Sequence, residues 1–210
     1  MLTVGQVKNT IDAVRSAAKS FIPAVSRTSA TKPVAALPEF LYHLTPKSTL
    51  EKILSSGKIT FSSFEKEAGA LSGVYMVDKS NFFNKYFGES LLGLDLGKAL
   101  ILYTAKTDKS LSAIRIPTSK LNPEFLRFRP YKTMCEEVFN STKSVKNIDI
   151  CKRGLPLSEL SEYIVREPIE YAYTREIPVS CFNNIKTAQV LDKVMDINSV
   201  DKEQVLSLFA

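Results

Sequence analysis

Three short words in this 210-residue chain carry side chains suited to chemistry. The first, Phe40-Leu41-Tyr42-His43-Leu44-Thr45, holds the only histidine. The run is apolar and β-prone, breaks at Pro46, and is followed by Ser48-Thr49-Leu50-Glu51, where Ser and Glu stand three apart as in a capping box. The pattern predicts a helix through Ile53 and Leu54 that ends at Gly57, a residue tolerant of the left-handed cap conformation. His43 is thereby carried on the end of a strand beside a strand-to-helix turn, a frequent place for ligand-binding groups; the alternative is a buried histidine with one satisfied hydrogen bond. The second word runs from Gly73-Val74-Tyr75 through a turn at Asp78 to Asn81 and into an aromatic helix that includes Phe82, Phe83 and Tyr86. Tyr75 and Tyr86, eleven apart, would set two phenol rings face to face across a slot, or would be two core tyrosines. The third word, Ser161-Glu162-Tyr163-Ile164-Val165-Arg166, predicts a strand opened by a carboxylate. Such an acid is a solvated strand end unless the strand finishes over a cleft.

In this order the words resemble the catalytic domain of the His-Tyr-Glu type ADP-ribosyltransferases, the group of the poly-ADP-ribose polymerases and diphtheria toxin. The family's first strand reads hydrophobic-Trp-His-Gly-Ser, followed by Ile-Leu-x-x-Gly-Leu; here stand Leu41-Tyr42-His43-Leu44-Thr45 and Ile53-Leu54-Ser55-Ser56-Gly57-Lys58-Ile59. Its second motif, Gly-Ile-Tyr-Phe-Ala-Asp with a second tyrosine eleven residues on, is similar to Gly73-Val74-Tyr75 and Tyr86. Its third, Asn-Glu-Tyr-Ile-Val-Tyr, is similar to Ser161 through Arg166. The chain departs from the family at Leu44, where a glycine is usual and the side chain must point away from the ligand. It departs again at Ser161, in place of asparagine. Leu160 stands two before Glu162, where arginine-modifying relatives carry Glu or Gln, so arginine is the less expected acceptor.

The resemblance implies an α+β fold with a split β-sheet core and short connecting helices, and a mono-ADP-ribosyltransferase that moves ADP-ribose from NAD to a protein side chain and releases nicotinamide. It implies Glu162, His43 and Tyr75 as the catalytic set. Glu162 would stabilise the positive charge that builds on the ribose carbon, as in glycoside hydrolysis. It implies NAD contacts from His43, Leu44, Thr45, Tyr75, Phe83 and Tyr86: the two tyrosines clamp nicotinamide, His43 gives a hydrogen bond to a ribose hydroxyl, and the Leu44 backbone reads the carboxamide. It requires no metal. Two alternatives are a related enzyme acting on nucleic acid, such as an RNA 2′-phosphotransferase or a DNA-modifying toxin, and a non-catalytic module that binds NAD or ADP-ribose.

Around these words the pattern from Pro38 onward is of short strands and short helices, an α+β arrangement. Strands are predicted at 39–44, 58–62, 73–77, 99–105, 112–116, 162–166 and 170–179, and helices at 48–56, 80–87, 186–196 and 201–208. Residues 1–38 form a basic arm and linker, and 39–210 the catalytic domain. In the arm Val4, Val7, Ile11, Val14, Ala18 and Phe21 make one amphipathic stripe, and Pro23 through Pro38 read as a linker. The arm could lie on a membrane surface through residues 1–22, address the protein to an organelle, lead secretion, or pack back on its own domain. It holds five basic residues against Asp12, so of the net charge of +6 the other 172 residues carry only +2. A near-neutral body disfavours a phosphate-backbone partner. Three cysteines (Cys135, Cys151, Cys181) without CxxC spacing, and a single histidine, argue against a disulfide framework or a zinc site. No apolar run approaches the ~20 residues that span a bilayer. Small size and the basic, hydroxyl-rich leader fit a secreted bacterial effector or toxin acting on a host protein in the host cytosol; otherwise the expectation is cytoplasmic.

Overall fold

The protein is described by a computed structural model covering residues 37–61, 71–88, 90–91, 94–133 and 149–210. The arm and linker expected over 1–38 lie outside the described residues, except for Leu37 and Pro38. Strand β1 is Phe40–Pro46 and helix α1 Lys47–Ser56, followed by β2, Lys58–Ile59. Next come β3, Val74–Met76, and the short α2, Lys79–Asn81, which widens into a π-helical turn over Phe82–Tyr86. A hairpin of β4 (Ser90–Leu91) and β5 (Leu94–Asp95) leads to α3, Leu96–Thr104. Then follow β6 (Ser110–Pro117), β7 (Leu126–Pro130), α4 (Asp149–Arg153), β8 (Leu155–Pro156) and α5 (Leu160–Tyr163). The chain finishes with β9 (Ile169–Tyr173), β10 (Ile177–Pro178), β11 (Asn184–Gln189) and α6 (Lys202–Leu208). The class is α+β, as expected.

Two antiparallel sheets organise it. One has the order β1-β6-β11, the other β3-β9-β7-β8, and β2 pairs with β10. Because side chains alternate along β1, Leu41 joins a core with Ile114, Ile116, Val74, Met76, Phe128 and Tyr171, while Tyr42 and Leu44 face a second core with Phe82, Ile101, Leu111 and Phe209. Each apolar set removed from water contributes roughly 25 cal/mol per Å² of apolar surface. The strand placing His43 is therefore held from both faces.

Four local expectations are corrected. Helix α1 begins directly after Pro46 with no side-chain cap, and the backbone N–H of Ser48 instead donates to Asp108 Oδ2 at 3.1 Å. Its end is as expected, with Gly57 at φ 75°. The strand predicted at 99–105 is helix α3: Asp95 caps it by accepting from the Lys98 N–H at 2.9 Å, and Ile101 and Ala105, four apart, are both fully buried. A continuous apolar run does not by itself separate a buried helix from a strand. The helix predicted at 186–196 begins as strand β11, paired to β6 from Asn184↔Arg115 to Gln189↔Ser110. The strand predicted at 162–166 is α5 and the turn after it. Leu160, Tyr163 and Ile164, at i, i+3 and i+4, pack together on the first core, and the Ile164 N–H reaches the Leu160 carbonyl at 3.0 Å.

Gly97 shows how tightly α3 docks. A Cβ added there would lie 2.8 Å from the ring of Phe87, which is itself buried, stacked on Phe83 and edge-on to Phe82. In an open helix Gly→Ala stabilises by about 1 kcal/mol. At Gly97 the sign reverses: Gly97→Ala is expected to destabilise by about 1–3 kcal/mol through overpacking, read as a lower midpoint in urea unfolding. An unchanged or raised midpoint would show that the Phe87 ring yields.

Candidate functional site

Among the described residues, backbone hydrogen bonds join the two sheets at one place. The Tyr42 N–H donates to the Val77 carbonyl at 2.8 Å and the Val77 N–H returns to Tyr42 at 3.0 Å. A regular antiparallel ladder would next pair Leu44 with Tyr75. Here it does not: the Tyr75 carbonyl accepts from His43 Nδ1 at 2.8 Å. The imidazole takes the place of a backbone donor and the sheets part. By alternation, the N–H and C=O of Leu44 point off this same edge, and among the described residues no backbone partner meets them there. The Leu44 side chain packs on the second core, away from the cleft.

The cleft opened by the split is a cavity of about 370 Å³, whose wall includes His43, Thr45, Tyr75, Glu170, Phe61 and Tyr103. That is the size range of small-ligand pockets. Gly73 floors it where β3 lies close to β9; a Cβ there would come within 3.1 Å of the Tyr173 carbonyl. Tyr75 is opposite Ala172 in register and Glu170 lies two residues earlier on β9, so both side chains share one face of the sheet.

Glu170 is directly opposite Arg129 on β7. The guanidinium donates from Nε at 3.0 Å and also from Nη2, both to the same carboxylate oxygen, while the two side chains are only 9% and 14% exposed. The carbon of that guanidinium sits 4.2 Å from the centre of the Tyr75 ring, and the Tyr75 hydroxyl donates to the Leu71 carbonyl. A carboxylate, a phenol and an imidazole thus converge on one cavity, tied together by a buried arginine and a shared backbone carbonyl.

Electrostatics fixes the state of the histidine. Burial lowers the His43 pKa, its hydrogen bond to Tyr75 offsetting part of the effect, so the ring is neutral near pH 7. A carbonyl only accepts, so Nδ1 carries the proton and Nε2 is an acceptor. Any hydroxyl that met Nε2 would therefore have to be the donor, the reverse of the direction expected from the resemblance.

Of the residues expected at the site, the structure brings together His43, Thr45 and Tyr75, with the backbone of Leu44 at the same edge. It does not bring the others. Tyr86 is 1% exposed and packs on Phe82 and Tyr131 instead of lining the cavity, so no slot is formed between two tyrosines. Burial, and next the charge of Glu170, push its phenol pKa well up. Phe83 is stacked on Phe87 at 5.7 Å in the second core. Glu162 is exposed on α5, outside the cavity wall, because the helical spacing around it turns Leu160 and Tyr163 inward. Glu170 and Arg129 are the residues that sequence reasoning missed. The signal was a second Glu-Tyr word, Ile169-Glu170-Tyr171-Ala172-Tyr173, with apolar or aromatic residues on both sides and no helical spacing. Among the described residues no group of three His, Cys, Asp or Glu is placed to hold a metal ion. Comparison with protein-family models, curated proteins and solved structures finds no match for the chain.

His43 gives the site a pH signature. Its folded pKa lies below its ordinary 6.5, so between the two values the unfolded chain binds the proton and the native one does not. Stability from this residue is full above 6.5 and falls as the pH drops toward the lowered value. Asp78, raised by burial, acts in the opposite sense, being favoured as its carboxyl protonates. Comparing wild type with His43→Gln isolates the histidine: the difference in unfolding free energy is expected to shrink as pH falls below 6.5. A difference independent of pH between 7 and 5 would mean that the imidazole is not held neutral.

Proposed function

We propose that this chain is an NAD-dependent mono-ADP-ribosyltransferase of the His-Tyr-Glu type, with Glu170 rather than Glu162 as its glutamate. The observation that carries the reading is the convergence of His43, Tyr75 and Glu170, each on its own strand, on one cavity at a split between two sheets. The order of the three along the chain is that of the family resemblance, and a split sheet is what the resemblance implies.

The geometry supplies what the reaction needs. Leaving of nicotinamide builds positive charge on the ribose carbon and the ring oxygen. An anionic Glu170 in a partly desolvated cavity opposes that charge more strongly than a carboxylate in water would. Its two arginine hydrogen bonds occupy one oxygen, and the other has no partner among the described residues. That second oxygen is free to take the proton of a ribose hydroxyl into a hydrogen bond and to draw on the incoming acceptor. His43 Nε2 accepts from a hydroxyl of the adenosine ribose. The Tyr75 ring offers its cavity side to the flat nicotinamide, and an offset stack of this kind contributes about 1 kcal/mol. The unpaired N–H and C=O of Leu44 are complementary to a carboxamide, which has one acceptor and one donor edge.

Labelled NAD incubated with the full chain and a cell lysate tests this, with free nicotinamide and labelled protein as the two readouts. Glu170→Gln keeps the shape and removes the charge, and is expected to lower both by on the order of 10²–10³-fold while NAD binding survives. Glu162→Gln is expected to behave as wild type. The reverse order would return the role to Glu162. Label transferred to nucleic acid, or NAD bound without turnover, would replace the proposed reaction with another.

A further inference from the structure

We infer that Arg129 is a positioning residue for the reaction proposed above, on which this inference rests: it fixes which oxygen of Glu170 faces the substrate and backs the ring of Tyr75. Arg129 is 8% exposed and is not part of the cavity wall, yet its guanidinium touches two side chains that are. A glutamate free to rotate about its last bonds would present either oxygen, or neither, to the ribose. Nε and Nη2 both bind one oxygen, which leaves a single orientation for the other. Charge-assisted bonds from a planar fork are stiff in direction as well as strong.

The contact to Tyr75 has the same logic. The ring is held between its hydroxyl bond to the Leu71 carbonyl and the guanidinium 4.2 Å from its centre. One rigid cation therefore registers the carboxylate to the stacking ring, from neighbouring strands of one sheet. Stability alone does not call for this pair, since a well-packed apolar pair serves a sheet interior at least as well as a buried ion pair. Lysine in this position would keep the charge and lose the fork.

Arg129→Lys in the full chain provides the test, with NAD affinity, KM and kcat for nicotinamide release measured separately. The expected result is an NAD affinity close to wild type and a kcat lower by on the order of 10²-fold, the usual cost of misplacing a reacting group by about 1 Å. The effect must act through Glu170. In a Glu170→Gln background, adding Arg129→Lys is expected to lower kcat no further. Melting curves establish that folded protein is assayed. Should the lysine variant not fold, Arg129→Gln combined with Glu170→Gln buries no unpaired charge and gives the same comparison against Glu170→Gln alone. A wild-type kcat in Arg129→Lys, a defect confined to affinity, or a further loss in the Glu170→Gln background would each overturn the positioning role. Wild-type protein that neither binds nor cleaves NAD would overturn the functional reading and this inference with it, an outcome distinct from the other three.

Discussion

The two hydrogen bonds between Tyr42 and Val77 are where one sheet becomes two, and the site depends on the ladder stopping there. Buried backbone groups need partners, and each hydrogen bond is worth about 1 kcal/mol net. A ladder that ended there would deprive the Tyr75 carbonyl of its strand partner. His43 supplies the substitute donor from its side chain, so the sheets can diverge at no loss of pairing for Tyr75. The unpaired groups are left on Leu44, at the edge of the cavity, where a ligand can meet them. Strand alternation does the rest. Tyr42 and Leu44 are anchored in the second core, which obliges His43 and Thr45 to face the cleft. A one-residue slip of β1 would turn the imidazole into the core and the leucine into the site, and the continuous pairing of Phe40↔Pro117 through Pro46↔Leu111 resists it.

Charge is handled by contrast. Glu162 on α5 is exposed, and its field is weakened by water and screened by salt over about 8–10 Å. Glu170 is largely removed from solvent, so its charge is screened less by water than that of Glu162, and the cost of burying it is offset by Arg129, which also cancels part of its field. The influence reaches inward as well, since the Tyr86 phenol feels both members of the pair. Only the second kind of carboxylate is useful for stabilising a transient cation, because the work done depends on the dielectric between the charges.

Much of this was legible in the chain. Pro46 and Gly57 bracket α1, and the apolar alternation of Phe40 to Thr45 placed His43 on a strand whose end meets β3. Tyr75 followed from Gly73-Val74-Tyr75 as a strand. Both words carry the Glu-Tyr of the motif and only Ser161–Arg166 carries its Ile-Val as well, so the motif by itself points to Glu162. Local periodicity decides against it: Leu160, Tyr163 and Ile164 fit a helical face, whereas Ile169, Tyr171 and Tyr173 alternate as a strand does. The expected strand at 99–105 and helix at 186–196 fail for a different reason. Their fates are set by partners, the ring of Phe87 against Gly97 and the edge of β6 against β11, and no short window contains that information.

Tyr86 shows where spacing alone fails. Eleven residues from Tyr75 would bring a second ring to the cleft only if the intervening helix kept a regular turn. The segment instead widens into a π-helical turn over Phe82–Tyr86, which changes the direction of every side chain after Asn81. The driving force is visible in the rings. Phe82 packs on Phe209 at 5.1 Å and Tyr42 on Phe209 at 4.8 Å, with Phe83 and Phe87 closing the cluster. Such pairs add about 0.5–1.5 kcal/mol each beyond the area they bury. The same cluster grips the back of β1 at Tyr42, one residue from His43. Phe83 and Tyr86, which a motif reading would assign to a ligand, are therefore used one layer behind the cavity, packed in the core that holds the strand from which the imidazole projects.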